Sequence, residues 1–458
     1  MKKSERSKMP LPSSELKFTL PDVDTFKLAN ALDVIFVKRN SLPILRLNLI
    51  INGGSNTDPV GKKGLANLFS MMIDEGAGGY NGLELMDEFD ILGSNFDISC
   101  NNDGLYLGLR TLKENADRSI DLFSKIITDP HFDEISFARE KRKLITRLMQ
   151  LKDDPEEIAS SVFEYTVFGK EDPYAFTAMG KEEDISNITV EDIKNFYRNY
   201  FVPNNAALIA VGNITKEELT DKLNKYLHKW APKILNIDKY KCKTKESPGI
   251  YIIHKDESVQ SEIRIGHLSE KRDKRDIFPS TLLNNILGGQ FSSRINLNLR
   301  EDKGYTYGAF SRFNYFKDNA IFYVSTSAGI ENTGKAVAEI IKELNLIKEG
   351  VTEKELDFAK SSTIRKFPSN FETNRQVAYN LTTKYLYNLP DDYYDTYIDK
   401  IRNVSINEVN KAALDHIHPE KLTILIVGDK NKLIPQLKEI SKDKITELDY
   451  LGKEVSVI

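Results

Sequence analysis

An internal repeat limits the fold of this chain more than any other feature. The run FVPNNAALIAVG, ending at Gly212, returns as IHPEKLTILIVG, ending at Gly428, with the same proline, polar pair and apolar strand. VGNITKEELTDKLNKYL from Val211 has a counterpart in VGDKNKLIPQLKEI from Val427, and IFVK from Ile35 in IIHK from Ile252, an offset of about 216 residues. Solenoid units run to roughly 20–50 residues, so a repeat this long is a domain duplication. Whatever one half folds into, the other resembles.

Each half reads as α+β. In the first, LDVIFV (32–37) and LRLNLII (45–51) are apolar, β-branched strands separated by the polar turn Lys38-Arg39-Asn40-Ser41. Gly64 to Glu75 is a helix with Leu65, Leu68, Phe69 and Met72 at helical spacing, and Leu83 to Leu92 a second one. Asn95 to Ser99 with Leu105 to Leu109 reads as a strand pair. Amphipathic helices follow at Asn115–Ile127, Asp133–Leu151, Pro155–Phe168 and Thr189–Tyr200, then strand Ala206–Val211 and helix Lys216–Leu227. Strands gather on one side and helices on the other.

The expected segments are a tail (1–28), a first domain (29–231), a lysine-rich linker (232–248) and a second domain (249–458). The expected architecture is two homologous α/β-sandwich domains forming one half of a clamshell. At 458 residues, 40% hydrophobic and 29% charged, the chain has ample material for such a core. A net charge of −4 gives no reason to expect nucleic acid or an anionic membrane as partner. Nothing at the start has the apolar length of a signal peptide and no run approaches a transmembrane helix, so the expected compartment is the cytoplasm. A periplasmic protein whose leader had been removed would read the same way. Cys100 and Cys242 are far apart and in no metal spacing.

The stretch LGGQFSSRINLNLREDKGYTYGAF, from Leu287 to Phe310, reads as helix, tight turn and strand. Ser292 or Ser293 can cap the helix, Gly304 suits a left-handed exit, and Tyr305 to Phe310 has the content of a short strand. The turn can bring Arg300 and Tyr307 into one space, a guanidinium fork and a phenol suited to a peptide carbonyl or its oxyanion. The same residues also read as a surface arginine and a half-buried tyrosine, the commoner setting for both types.

With GLANLFSMM and GLELMDEFDILGSNFD, the FAREKRKLI…DDPEE region, FVPNNAALIAVG and LGGQFSSRINLNLREDKGYTYG, the sequence resembles the insulinase-like, or pitrilysin-type, zinc peptidases from about Leu32 to about Leu437. Catalytic members carry H-x-x-E-H on the first-half helix. Here the resemblance puts Asn67 and Met71 at the histidine positions, Ser70 at the general-base glutamate, and Arg147, seven residues after Glu140, at the distal glutamate ligand. An amide, a thioether and a guanidinium cannot stand in for imidazole or carboxylate on zinc, and the arginine repels a divalent cation. The six histidines, His131, His228, His254, His267, His416 and His418, read as structural or surface residues, including the H-x-H pair at 416–418.

What the resemblance does preserve is the family's arginine and tyrosine seven residues apart, matching Arg300 and Tyr307. It implies a non-catalytic subunit of a heterodimeric zinc endopeptidase, with no metal or other cofactor of its own. A homologous partner bearing H-x-x-E-H supplies zinc, and the substrate is a peptide or unfolded segment. The alternative is a catalytically inert structural or peptide-binding protein of the same descent.

Overall fold

The computed structural model describes residues 18–235, 247–272 and 276–458. Two mixed sheets form its frame. The first contains β1 (Asp24–Lys27), β2 (Asp33–Lys38), β3 (Ile44–Asn52), β4 (Asn95–Cys100), β5 (Gly104–Leu112) and β6 (Ala206–Gly212), in the order β1-β2-β6-β3-β5-β4. The second contains β7 (Gly249–His254), β8 (Gln260–Ser269), β9 (Ala309–Tyr315), β10 (Ala320–Gly329), β11 (Thr423–Gly428), β12 (Ile445–Leu448) and β13 (Glu454–Val457), in the order β9-β10-β8-β11-β7-β12-β13.

The duplication seen in the sequence is a duplication of topology. The order β4-β5-β3-β6-β2 is repeated by β9-β10-β8-β11-β7, with a parallel pair at the same place in each: β2 with β6, and β7 with β11. The protein is α+β with two domains, as the repeat implies. The outer edges differ. β1 runs antiparallel to β2, whereas β12 runs parallel to β7. Residues 18–28, in the segment expected as a tail, supply β1 and the buried Leu28. The expected linker (232–248) lies largely outside the described residues.

Alternation along β3 sends Leu45, Leu47, Leu49 and Ile51 into the first core, where helix α1 (Leu65–Met72) lays Leu65, Leu68, Phe69 and Met72. Helix α2 (Glu134–Leu151) starts at Asp133, whose carboxylate accepts from the amides of Ile135 and Ser136. Helix α3 (Pro155–Phe168) starts with Asp154 as cap and a proline in its first turn. In the second half, helix α4 (Ile277–Leu287) and helix α5 (Asn374–Leu386) occupy related places; α5 opens on a capping box of Thr373 and Gln376.

Each sheet's other face is covered by a helix from the opposite half. α3 packs Ile158, Ala159, Val162 and Phe163 on Ile253, Ile321, Leu425 and Val427 of the second sheet. α5 returns the arrangement, with Val377, Ala378 and Leu381 on Val37, Ile50, Ile209 and Val211 of the first. At about 1.5–3 kcal/mol per buried large apolar side chain, these crossings tie the halves far more strongly than a tether would. Hairpin tips add polar ties: Asp103 accepts from the Tyr174 hydroxyl at 2.6 Å and the Lys317 amide at 3.0 Å. Among the described residues, no helix is long and apolar enough to cross a membrane.

Candidate functional site

α1 is held from outside its own sequence. Gly64 sits before it with φ 101°, and the buried Asp58 carboxylate accepts from the amides of Gly64 at 2.8 Å and Ala66 at 2.9 Å. Burial pushes the Asp58 carboxyl up to about 7, although these backbone bonds pull the other way. A Cβ at Gly64 would lie 2.7 Å from the Met179 carbonyl, so only glycine serves there. The apolar face of α1 enters the core, with Phe69 against Phe196 and Phe201.

Along the polar side of α1 run Asn67, Ser70 and Met71. Asn67 and Met71 are half-buried, and the buried Ser70 hydroxyl donates to the Asn67 carbonyl at 2.7 Å. α2 contributes Glu140, buried and bonded by Arg139 Nε at 2.9 Å and Lys143 Nζ at 2.7 Å; Arg139 also pairs with Glu75. Arg147 lies two turns further on and is exposed. Asp74, near Glu140, is pushed up to about 6, first by burial and then by that negative neighbour.

An amide, a hydroxyl, a thioether and a guanidinium do not make a zinc site, and the acid nearby is engaged by cations. Among the described residues there is no group of three or more histidine, cysteine or acidic side chains able to hold a metal. The H-x-H pair lies against β8 and the start of α4. The His418 amide donates to His267 Nε2 at 3.1 Å, and His416 lies 3.8 Å from Asp276.

The second candidate element departs from its expected shape. Ser293 stands at the N-cap, but its side chain makes no capping bond; a short turn, Arg294–Asn296, passes into a π-helix, Leu297–Asp302. Arg300 rides on that wide turn, a rare geometry recurrent at functional sites. Gly304 takes φ 66° as expected. Tyr305 to Gly308 are not strand; the strand begins at Ala309. The reason is local. Thr306 Oγ1 donates to the Gly308 carbonyl at 2.9 Å and accepts from the Gly308 amide at 3.1 Å, and Thr326 Oγ1 also reaches the pair.

The residue that joins these parts was not foreseen. Asn296 is fully buried; its Nδ2 donates to the Phe291 carbonyl at 2.6 Å and its Oδ1 accepts from the Ala309 amide at 3.0 Å. It thereby fixes the loop before the helix to the strand after Tyr307. Arg300 lays its guanidinium over the Phe291 ring, 4.4 Å from the centroid, with Nε 3.4 Å from Glu301. Tyr307 projects into solvent, 92% exposed. Arg300 and Tyr307 thus flank one braced turn, and no hydrogen bond joins their side chains among the described residues. Nothing in the sequence marks Asn296 or Phe291, because a buried amide bridge has no spacing of its own.

Two sheets of repeated topology, with α1 in the first half and the turn carrying Arg300 and Tyr307 in the second, define the class as a duplicated α+β protein. Two family profiles match: "Insulinase (Peptidase family M16)" over residues 34–172 and "Peptidase M16 inactive domain" over residues 187–363. The chain belongs to the insulinase (M16) family, with the family's inactive-domain profile falling on its second half. It is 26% identical to a protein of Helicobacter pylori named "Non-peptidase homolog YmxG", covering 87% of this chain and 92% of that one. It is 24% identical to "Zinc protease PqqE" of the same organism, covering 78% and 82%. A crystal structure of a peptidase M16 inactive domain from Pseudomonas fluorescens superposes with a TM-score of 0.83 at 25% identity, over 89% of this chain and 98% of that one.

Proposed function

We propose that this chain is the non-catalytic subunit of a heterodimeric metalloendopeptidase. Its partner is a homologous chain with an intact H-x-x-E-H helix, which holds the zinc, while this chain closes the cleft and presents Arg300 and Tyr307. The observation that carries the reading is the exposure of Tyr307 on a turn braced by Asn296, Thr306 and Thr326. A tyrosine held so firmly yet left in solvent has its use outside its own chain. The phenol O–H and the guanidinium are donors for a substrate carbonyl or the oxyanion formed from it.

The relatives support a division of labour. Helicobacter pylori has both a protein named as a non-peptidase homolog and one named as a zinc protease, and this chain resembles each. In this reading the substrates are peptides or unfolded segments. The compartment in this reading is the cytoplasm. An inert structural role gives Tyr307 no reason to be presented, and a peptide-binding role without cleavage differs in leaving the partner's rate unchanged. The test is reconstitution. The purified chain alone is expected to cleave no peptide, and a mixture with the homologous zinc-motif chain from the same genome to cleave faster than that chain alone. Equal rates with and without this chain would overturn the proposal.

A further inference from the structure

On the face of the first sheet turned away from α1, β3 and β5 place Arg46 directly opposite Arg110. Like charges so opposed repel, and a sheet keeps them only for a reason. α5 covers the neighbouring part of this face at Ile50, Ile209 and Val211, and brings Arg375. Burial lowers the Arg46 pKa; Asp97 opposes that change, while the positive charges of Arg375 and Arg110 add to it. Arg46 is only 14% exposed, and Arg110 and Arg375 are exposed beside it.

The acid that Arg46 meets is Asp97, with Nη2 and Oδ1 3.8 Å apart. Asp97 reaches it across Gly108, where a Cβ would lie 2.6 Å from the carboxylate. That leaves three guanidinium groups around one half-exposed carboxylate. Arg46 Nε and Asn48 Oδ1, neighbours on this face, are buried with no hydrogen-bond partner among the described residues. The second sheet shows the contrast: Arg264 of β8 is matched by Glu262 at 3.1 Å and the Ser160 hydroxyl at 3.3 Å. Unmatched donors and surplus positive charge on a partly desolvated surface favour a planar anion that can take two N–H bonds at once.

We propose that Arg46, Arg110 and Arg375 form a subsite for the carboxylate of an acidic side chain on a bound peptide. The subsite names a substrate chemistry for the function proposed above and rests on that reading for the ligand being a peptide. Anion binding itself needs only this chain, so its failure is distinguishable from failure of the heterodimer.

The probe is fluorescein-labelled hexaglutamate, titrated with the isolated full chain at low salt and followed by anisotropy. Wild type is expected to bind hexaglutamate more tightly than hexaglutamine. The double variant Arg110→Gln/Arg375→Gln should weaken hexaglutamate at least about tenfold, the loss of charge-assisted bonds to a carboxylate. Removing the opposed charges should leave its thermal midpoint equal to or above that of wild type, and Arg375→Gln alone, on the exposed side of α5, should show an intermediate loss. Equal binding of hexaglutamate by wild type and double variant, or of the two peptides by wild type, would overturn the proposal. Tighter binding of a labelled oligothymidylate than of hexaglutamate would overturn the assignment to an acidic peptide.

Discussion

Replacing Asn296 by alanine tests the bracing of the Arg/Tyr turn. The substitution removes two bonds of unequal value. Ala309 is completely buried, so its N–H, now 3.0 Å from Asn296 Oδ1, would lose its partner out of reach of water. An orphaned buried amide costs about 1–3 kcal/mol. Phe291 is 55% exposed, so its carbonyl can be rehydrated and only the net value of that bond is lost, about 1 kcal/mol. The expected destabilisation is therefore about 2–4 kcal/mol, read from the midpoint of urea unfolding followed by circular dichroism. A functional readout separates positioning from bulk stability. In the reconstituted heterodimer under native conditions, Tyr307→Phe should cost much less turnover in the Asn296→Ala background than in wild type, because the phenol is already misplaced. A destabilisation below about 1 kcal/mol, or additive effects of the two substitutions on turnover, would show that Asn296 does not position Tyr307.

Other predictions concern the frame and its charges. Phe163→Ala in α3 and Leu381→Ala in α5 should each cost roughly 2–5 kcal/mol while unfolding stays a single transition, since each helix belongs to both halves; two separate calorimetric transitions would contradict this. Burial pushes the Glu164 carboxyl up to about 7, so the fold favours its protonated form and stability falls as pH rises from the ordinary glutamate range through that value. Glu164→Gln should match wild type at pH 4 and exceed it at pH 8, by on the order of 1 kcal/mol because the side chain is partly exposed and screened. Equal pH profiles would exclude Glu164 as the cause. Zinc added to the isolated chain should leave its thermal midpoint unchanged, because Asn67, Met71 and Arg147 offer no donor set. A zinc-dependent rise that chelator reverses would show a site outside that set.

The frame was legible because it depends on patterns that a sequence displays. Apolar runs such as Ala206–Val211 cannot be solvated, and the helices at Pro155–Phe168 and Lys216–Leu227 carry their caps in Asp154 and Thr215, so their limits match the structure. The pairing of α3 and α5 with the opposite sheets was not legible: an apolar helix face says that it must be covered, not by which sheet. In the candidate site, Gly304 announced its left-handed turn, but Thr306 bonds its neighbours and delays the strand to Ala309, a local competition that residue content does not reveal. The π-turn under Arg300 and the Asn296 bridge depend on tertiary contacts. The facing of Arg46 and Arg110 depends on the register of β3 against β5, which no single strand encodes.

In the proposed heterodimer this chain contributes to catalysis through Tyr307 and Arg300 without holding metal. The direct measurement is the steady-state turnover of the reconstituted heterodimer carrying Tyr307→Phe, with the subunit dissociation constant determined alongside. Loss of one oxyanion donor corresponds to about 2.7–4 kcal/mol of barrier, so kcat should fall by roughly 10²–10³ with association unchanged. An unchanged kcat, with Arg300→Ala equally silent, would leave an inert scaffold in place of a catalytic subunit.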